Sequence, residues 1–412
     1  MRNLLAAVVL VALAACGSQG GGQAQQQASS APSAAPAPQS GADSMASQDP
    51  ATGQLAKADI PDPQPRPVMQ AQVVLDRLGF GPGVVDGKMG ISTTNALKGF
   101  QEAHGLPVTG QLDTATQQAL AQWKNIPATR VVRIPQEWGT TNYVKIPKDE
   151  DDKAKLQSLG YQSLDERLGE RFHTTAAVLD QLNPNGQPAG MTGAAMATGG
   201  EATAQGNGKA AANAAASPTP SPSPSASRDP TQSVYHAGQL VRVPNVGGDQ
   251  IDVAKVQDKD WLATLASLGV GTGQPHVSKI VVSKHGGWLK GYDDSGKLVA
   301  MFTVTTGSEH DPLPLGNWGI TTVSRNPHFN YNPDLFWDAK PTDKEARLPP
   351  GPNGPVGVVW IDLTKEHYGI HGTPEPQTIG RTESHGCVRL TNWDAARLAQ
   401  MVDTSTKVVF EA

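Results

Sequence analysis

The chain has 412 residues, enough for two or three domains, and 33 Lys+Arg against 38 Asp+Glu leave a formal charge of −5. That balance gives no electrostatic footprint for nucleic acid as a partner. Aromatic residues make up only 5%, while Gly (44) and Pro (33) are abundant, so folded domains diluted by small-residue linkers are expected. Only two cysteines are present, Cys16 and Cys387, which excludes a disulfide framework if each has its own task.

At the N-terminus, Arg2 precedes an apolar run, Leu4 to Leu13, too short to make a good membrane span. The run ends in Leu13-Ala14-Ala15-Cys16, which resembles a bacterial lipoprotein lipobox. The resemblance implies that residues 1–15 are a signal peptide and that Cys16 carries a diacylglycerol. The protein would then be held in the cell envelope by acyl chains, with the membrane as a partner. Gly17 resembles a signal for the periplasm-facing outer membrane of a Gram-negative cell. An ordinary signal peptide with Cys16 incidental is the alternative.

Residues 16–65 are mostly Gln, Ala, Ser, Pro and Gly and bury too little surface to offset ordering entropy, so a disordered tether is expected. Residues 66–125 read as a small three-helix module. Val68, Gln72, Leu75 and Leu78 keep helical spacing, and Gly79, Gly81, Pro82 and Gly83 stop that helix. Asp86-Gly87 marks a turn, Ser92 is the expected cap of a second helix, and Asp113 the cap of a third. Val85-Asp86-Gly87-Lys88-Met89-Gly90, Thr94-Asn95-Ala96-Leu97, Phe100-Gln101 and Gly105-Leu106-Pro107-Val108-Thr109-Gly110 together resemble the peptidoglycan-binding-domain-1 family. Peptidoglycan is therefore the partner this module implies; the bland alternative is a helical domain without a ligand.

Residues 130–246 read as an α+β middle region. Tyr161–Gly169 and Val178–Pro184 suggest two helices, and Gly238–Pro244 a strand. The order resembles a lysin-motif (LysM) glycan-binding repeat. It departs from that family through a low-complexity insertion at about 188–233, expected to be disordered, and an inert spacer is the competing reading.

From residue 278 to 412 the pattern turns to strands: Ile280–Val282, Trp288–Tyr292, Val299–Val304, Ile320–Val323 and Val356–Ile361, separated by Gly-containing turns. A mostly-β sandwich or barrel is expected. The Asn/Pro/Gly-rich stretch 324–355 carries Phe329, Tyr331, Phe336 and Trp337, and its length suggests a lid over a site.

Chemistry concentrates near the end. Tyr368-Gly369-Ile370-His371-Gly372-Thr373 runs from strand into loop, Ser384-His385-Gly386-Cys387-Val388-Arg389-Leu390 follows, and Thr391 or Asn392 caps a helix. A thiol needs a nearby imidazole to remove its proton before it attacks. A following helix start and unobstructed glycine backbone favour developing negative charge. His367, His371, His385 and Cys387 also form a candidate zinc set. On a strand, however, His367 and His371 lie about 13 Å apart, too far to share one metal as they could on a helix.

His371-Gly372-Thr373, then Ser384-His385-Gly386-Cys387-Val388-Arg389, together with Pro312-Leu313-Pro314-Leu315-Gly316, resemble the L,D-transpeptidase (YkuD-like) catalytic domain. Leu313 replaces that family's usual Thr. The resemblance implies that Cys387 attacks the bond between a diamino acid and D-alanine in a peptidoglycan stem peptide, and that an amine then takes the acyl group from the thioester. It also implies His371 as base, oriented by the Gly372 carbonyl, with Ser384, His385, Gly386 and Arg389 shaping the oxyanion hole or holding substrate. Neither cofactor nor metal is called for. His385 competes for the base role. The alternatives are an L,D-carboxypeptidase or endopeptidase with the same nucleophile, and a non-catalytic wall-binding lipoprotein.

Overall fold

The computed structural model describes residues 55, 57–191, 232–247, 250–337 and 339–412, all within one compact unit, Ala46–Ala412. The signal peptide, Cys16, most of the tether and residues 192–231 of the insertion lie outside the described residues. No described helix is long and apolar enough to cross a membrane.

The expected tether ends early. Lys57–Ala58 form a short strand, β1, paired antiparallel with Val132 and Val131. Asp62 accepts hydrogen bonds from Arg66 (2.8 Å) and Thr129 (2.7 Å), and Arg242 donates to the Ile60 and Pro61 carbonyls. Composition fails here because strand pairing and buried charge need few large apolar side chains.

Helix α1 (Pro67–Arg77) starts on a proline, whose missing N–H costs nothing at that position, and buries Met69, Val73, Val74 and Leu75. The chain turns at Gly79 into β2 (Phe80–Gly81). Helix α2 (Ile91–Ala103) begins after Gly90, so Ser92 lies inside the first turn and caps nothing. Asp113 does cap α3 (Thr114–Leu120), accepting from the Thr116 N–H at 2.9 Å.

In the middle region β3 (Thr129–Arg133) pairs antiparallel with β4 (Leu240–Pro244). Between them come a single turn, α4 (Glu150–Lys153), and two helices, α5 (Leu164–Arg171) and α6 (Ala176–Leu182). Ser163 and Thr175 cap the latter pair. Leu168, Phe172, Leu179 and Leu182 close on Val132, Val241 and Val243. Helix α7 (Lys259–Leu268), capped by Asp258, leads into the C-terminal sheet.

That sheet is built from β5 (Lys279–Ser283), β6 (Trp288–Tyr292), β7 (Leu298–Thr303), β8 (Gly316–Arg325), β11 (Val359–Leu363), β12 (Gly369–His371), β13 (Val388–Arg389) and β14 (Lys407–Glu411). Within the stretch 324–355, β9 (Phe329–Tyr331) and β10 (Ala346–Leu348) form a separate hairpin. The main strand order is β13-β12-β11-β8-β14-β5-β6-β7-β2. Beyond β7 the chain bridges back to the other end of this run, Thr305 to Arg389 of β13. Strand β8 joins its halves, pairing through Gly316–Gly319 with β14 and through Ile320–Arg325 with β11. Helix α8 (Asn392–Met401) is buried nearly all round, with Trp393, Ala395, Ala396 and Leu398 fully inside.

The ninth strand, β2, comes from the helical module. Phe80 pairs with Met301 and Gly81 with Phe302. Leu75, Phe80, Leu97 and Phe100 share one apolar cluster with Leu298 and Met301. The module thus covers the β7 edge, which would otherwise expose unpaired backbone groups.

Candidate active site

Strands β12 and β13 run parallel, with Ile370 opposite Val388 and His371 opposite Arg389. Side chains alternate along strands, so Gly369 and His371 share a face, and Arg389, paired with His371, shares it too. Cys387 immediately precedes β13, and its thiol lies beside Gly369, the first residue of β12 and two before His371. The thiol receives a backbone hydrogen bond at Gly369, and its sulfur lies 3.8 Å from the His367 carbonyl.

His371 is buried, with its ring stacked 5.5 Å from Trp360, its cross-strand partner. Its Nδ1 lies 2.7 Å from the Gly372 carbonyl oxygen. A carbonyl only accepts, so Nδ1 carries the proton and Nε2 keeps a free lone pair. Burial first, then the Arg389 charge, holds the imidazole down to about 3, against the bond to Gly372. Burial pushes the Cys387 thiol above its ordinary value. Asp311 pushes the same way, against Gly369 and Arg389. At neutral pH the pair therefore rests as thiol and neutral imidazole.

The loop before Cys387 is fixed by its own hydrogen bonds. Ser384, buried, donates its hydroxyl to the Cys387 carbonyl at 2.6 Å and so braces the turn. Gly386 has φ 92, and a Cβ there would collide with the Tyr368 ring. Backbone bonds from Thr305 to Arg389 and from Ser308 to Ser384 tie on the 305–313 segment. This segment brings Asp311 into the surroundings of Tyr368 and Cys387, and its Oδ2 is buried without a hydrogen-bond partner among the described residues.

His385 points elsewhere. Its ring sits edge-on to Phe336 at 5.2 Å and tilted to Trp337 at 5.8 Å, beneath the lid hairpin. The two histidines therefore separate, His371 into the sheet face and His385 into the lid. The candidate zinc set does not assemble: no group of three or more His, Cys, Asp or Glu side chains fit to hold a metal occurs among the described residues. The helix α8 N-terminus is occupied by Thr391, which accepts from the Asp394 N–H.

Residues 278–410 match the family model of the YkuD L,D-transpeptidase catalytic domain. This part of the chain is thus similar to L,D-transpeptidase catalytic domains. Residues 64–120 match a peptidoglycan binding domain family, and neither match reaches residues 130–246. A Bacillus licheniformis protein named for L,D-transpeptidase YkuD is 49% identical over 130 residues, 32% of this chain and 63% of that protein. The Bacillus subtilis protein of the same name is 49% identical over 57 residues, 14% of this chain and 35% of its own length. The chain thus spans less than two thirds of either relative. Among solved structures, L,D-transpeptidase 3 from Mycobacterium tuberculosis is 19% identical, covering 35% of this chain and 63% of that one, with a TM-score of 0.28.

The surroundings of His371 and Cys387 also include residues that no sequence pattern singled out. Trp360 backs the imidazole, Tyr368 faces Gly386, and Asn392 packs beneath Gly372. Asn392 was legible only as a helix cap, a role Thr391 fills.

Proposed function

We propose that the protein is a cysteine-dependent L,D-transpeptidase acting on peptidoglycan stem peptides. The observation that supports this most directly is the parallel β12–β13 pairing, which sets His371 opposite Arg389, two residues from Cys387. The chemistry follows from the resting protonation states. As the sulfur attacks the carbonyl carbon of the diamino acid–D-alanine bond, its proton passes to His371 Nε2. Collapse of the tetrahedral adduct breaks the C–N bond, and the imidazolium gives that proton to the departing amine. An acceptor amine then attacks the thioester and loses a proton to Nε2; the sulfur leaves and is reprotonated. One amide is broken, one is formed, and no oxidant or reductant is needed. Gly386 and the backbone around it leave room for the oxyanion, and Arg389 lends positive charge beside it.

The β3-α5-α6-β4 order, with β3 and β4 antiparallel, supports reading the middle region as a LysM-like glycan-binding repeat. The lipobox-like sequence supports a Cys16 lipid anchor in the cell envelope. Incubation of the protein with tetrapeptide muropeptides, followed by mass spectrometry, tests the enzymatic reading. New dimers with loss of D-alanine support it; loss of D-alanine without dimers points to a carboxypeptidase; unchanged muropeptides sink both.

A further inference from the structure

Asn392, the first residue of α8, is fully buried, and its side-chain amide joins three chain segments. Its Oδ1 accepts from the Val358 N–H at 3.3 Å and packs against both Gly357 and Gly372, where a Cβ on either glycine would collide with it. Its Nδ2 donates to the Pro352 carbonyl at 3.0 Å and to Glu170 Oε1 at 3.3 Å. Gly372 is the residue whose carbonyl fixes the His371 tautomer. Glu170 belongs to α5 of the middle region and lies 222 positions away in the chain.

A second arm runs parallel. Asn353 donates to Glu166 Oε1 at 2.7 Å and to the Gly160 carbonyl at 2.8 Å, and Leu159 exchanges backbone bonds with Pro350 and Asn353. The segment 350–358 that enters β11 is thereby seated on the middle region.

We propose that Glu170 and Asn392 are positioning residues for the transpeptidase site, the middle region setting the aim of His371 through Asn392 and Gly372. The proposal rests on the functional reading above. A fixed path, hydrogen bonds from Glu170 to Asn392 and then packing of Asn392 on Gly372, is needed because a small displacement of a general base costs large factors in rate. Glu170 suits the task as a neutral group: burial, then the nearby Glu166 charge, pushes its carboxyl up to about 8, so at pH 7 it donates or accepts without a net charge. The titratable groups facing it are Glu166 on its own helix and Tyr161, whose hydroxyl meets Ser267 at 3.2 Å.

The test uses the full chain and reads alkylation of the Cys387 peptide by iodoacetamide against pH, with mass spectrometry separating it from Cys16. Between the low imidazole pKa and the high thiol pKa, base-assisted attack gives a pH-independent rate. Unassisted attack by free thiolate rises about tenfold per pH unit. The wild type should show the flat component and His371→Gln should lose it. Glu170→Ala and Asn392→Ala should each slow alkylation near pH 7 by about tenfold and take on the sloped profile, and Glu170→Gln should restore most of the flat component. A merely structural role lowers the melting temperature but leaves the profile shape alone. If the Ala variants keep the wild-type profile, the positioning chain is overturned while the enzymatic reading stands. If the wild type matches His371→Gln, both fail. Should Asn392→Ala not fold, Glu170→Ala, one residue further from the site, decides alone.

Discussion

Arg397 of α8 grips Asp76 of α1 through two hydrogen bonds of 3.0 and 2.7 Å, with both side chains buried. His173, from the turn after α5, adds Nδ1 to the same carboxylate at 2.9 Å and stacks on Trp393. One carboxylate thus ties together the helical module, the middle region and the catalytic domain. Removing one partner of such a buried pair strands a charge, at a cost of about 3–5 kcal/mol. Asp76→Asn should lower stability by that order in urea denaturation, whereas a loss below about 1 kcal/mol would mean the pair binds nothing together.

Acid should act through the same cluster. Arg397 and His173 hold the Asp76 carboxyl below its ordinary range despite burial, and burial holds His173 below its own. Both folded values are depressed. The stability they give is therefore complete above their unfolded values, about 3.9 for Asp and 6.5 for His, and is lost as pH falls through the folded ones. Melting temperature should fall on acidification, and Asp76→Asn should flatten the acid limb.

Alkali works on two other acids. Burial raises Glu170 to about 8 and Asp394 to about 7, with Glu166 adding to the first and Asp76 to the second. A raised carboxyl contributes most below its unfolded value and loses that contribution as pH climbs through the folded one. Glu170→Gln should therefore melt higher than wild type at about pH 9, by on the order of 1 kcal/mol, with the gap closing toward about pH 5. An equal gap at both pH values would contradict the raised carboxyl.

Asp311 opposes ionisation of Cys387. Asp311→Asn should lower the thiol pKa and speed iodoacetamide capture at alkaline pH, where thiolate carries the reaction, by about two- to tenfold. A slower reaction would show that the Asp311 carboxylate supports the thiolate instead.

The lid offers a separable effect. Trp337, 61% exposed, stacks 4.7 Å from His310 and lies against His385. Trp337→Ala should raise the muropeptide KM about two- to tenfold, the worth of one or two aromatic contacts, while small-molecule alkylation of Cys387 stays at the wild-type rate. A fall in alkylation with unchanged KM would remove the lid from substrate binding.

Much of this was legible in the sequence because local chemistry spoke for it. Trp288–Tyr292 alternates as a strand should, Asp113 caps as an isolated Asp before a helix should, and two His-Gly pairs, 371–372 and 385–386, precede Cys387 within sixteen positions. The sequence could not reveal what depends on pairs far apart in the chain. Phe80 lies among the glycines that stop a helix, yet its backbone pairs with Met301, over two hundred positions away. Glu170 and Asp76 look like solvated helix charges until tertiary packing buries them. Ser384 stands out in the sequence only through the family resemblance, and the hydrogen bond of its hydroxyl to the Cys387 carbonyl is set by the turn's shape, which the sequence does not show.

The most direct test is the intact mass of the full chain after mixing with a tetrapeptide muropeptide, for wild type, Cys387→Ser and His371→Gln. The wild type should gain a thioester-linked acyl group mapped to Cys387 as D-alanine is released, His371→Gln should gain it far more slowly, and Cys387→Ser should form no thioester. D-alanine release undiminished in Cys387→Ser, or acylation at full speed in His371→Gln, would contradict the pairing of these two residues as nucleophile and base.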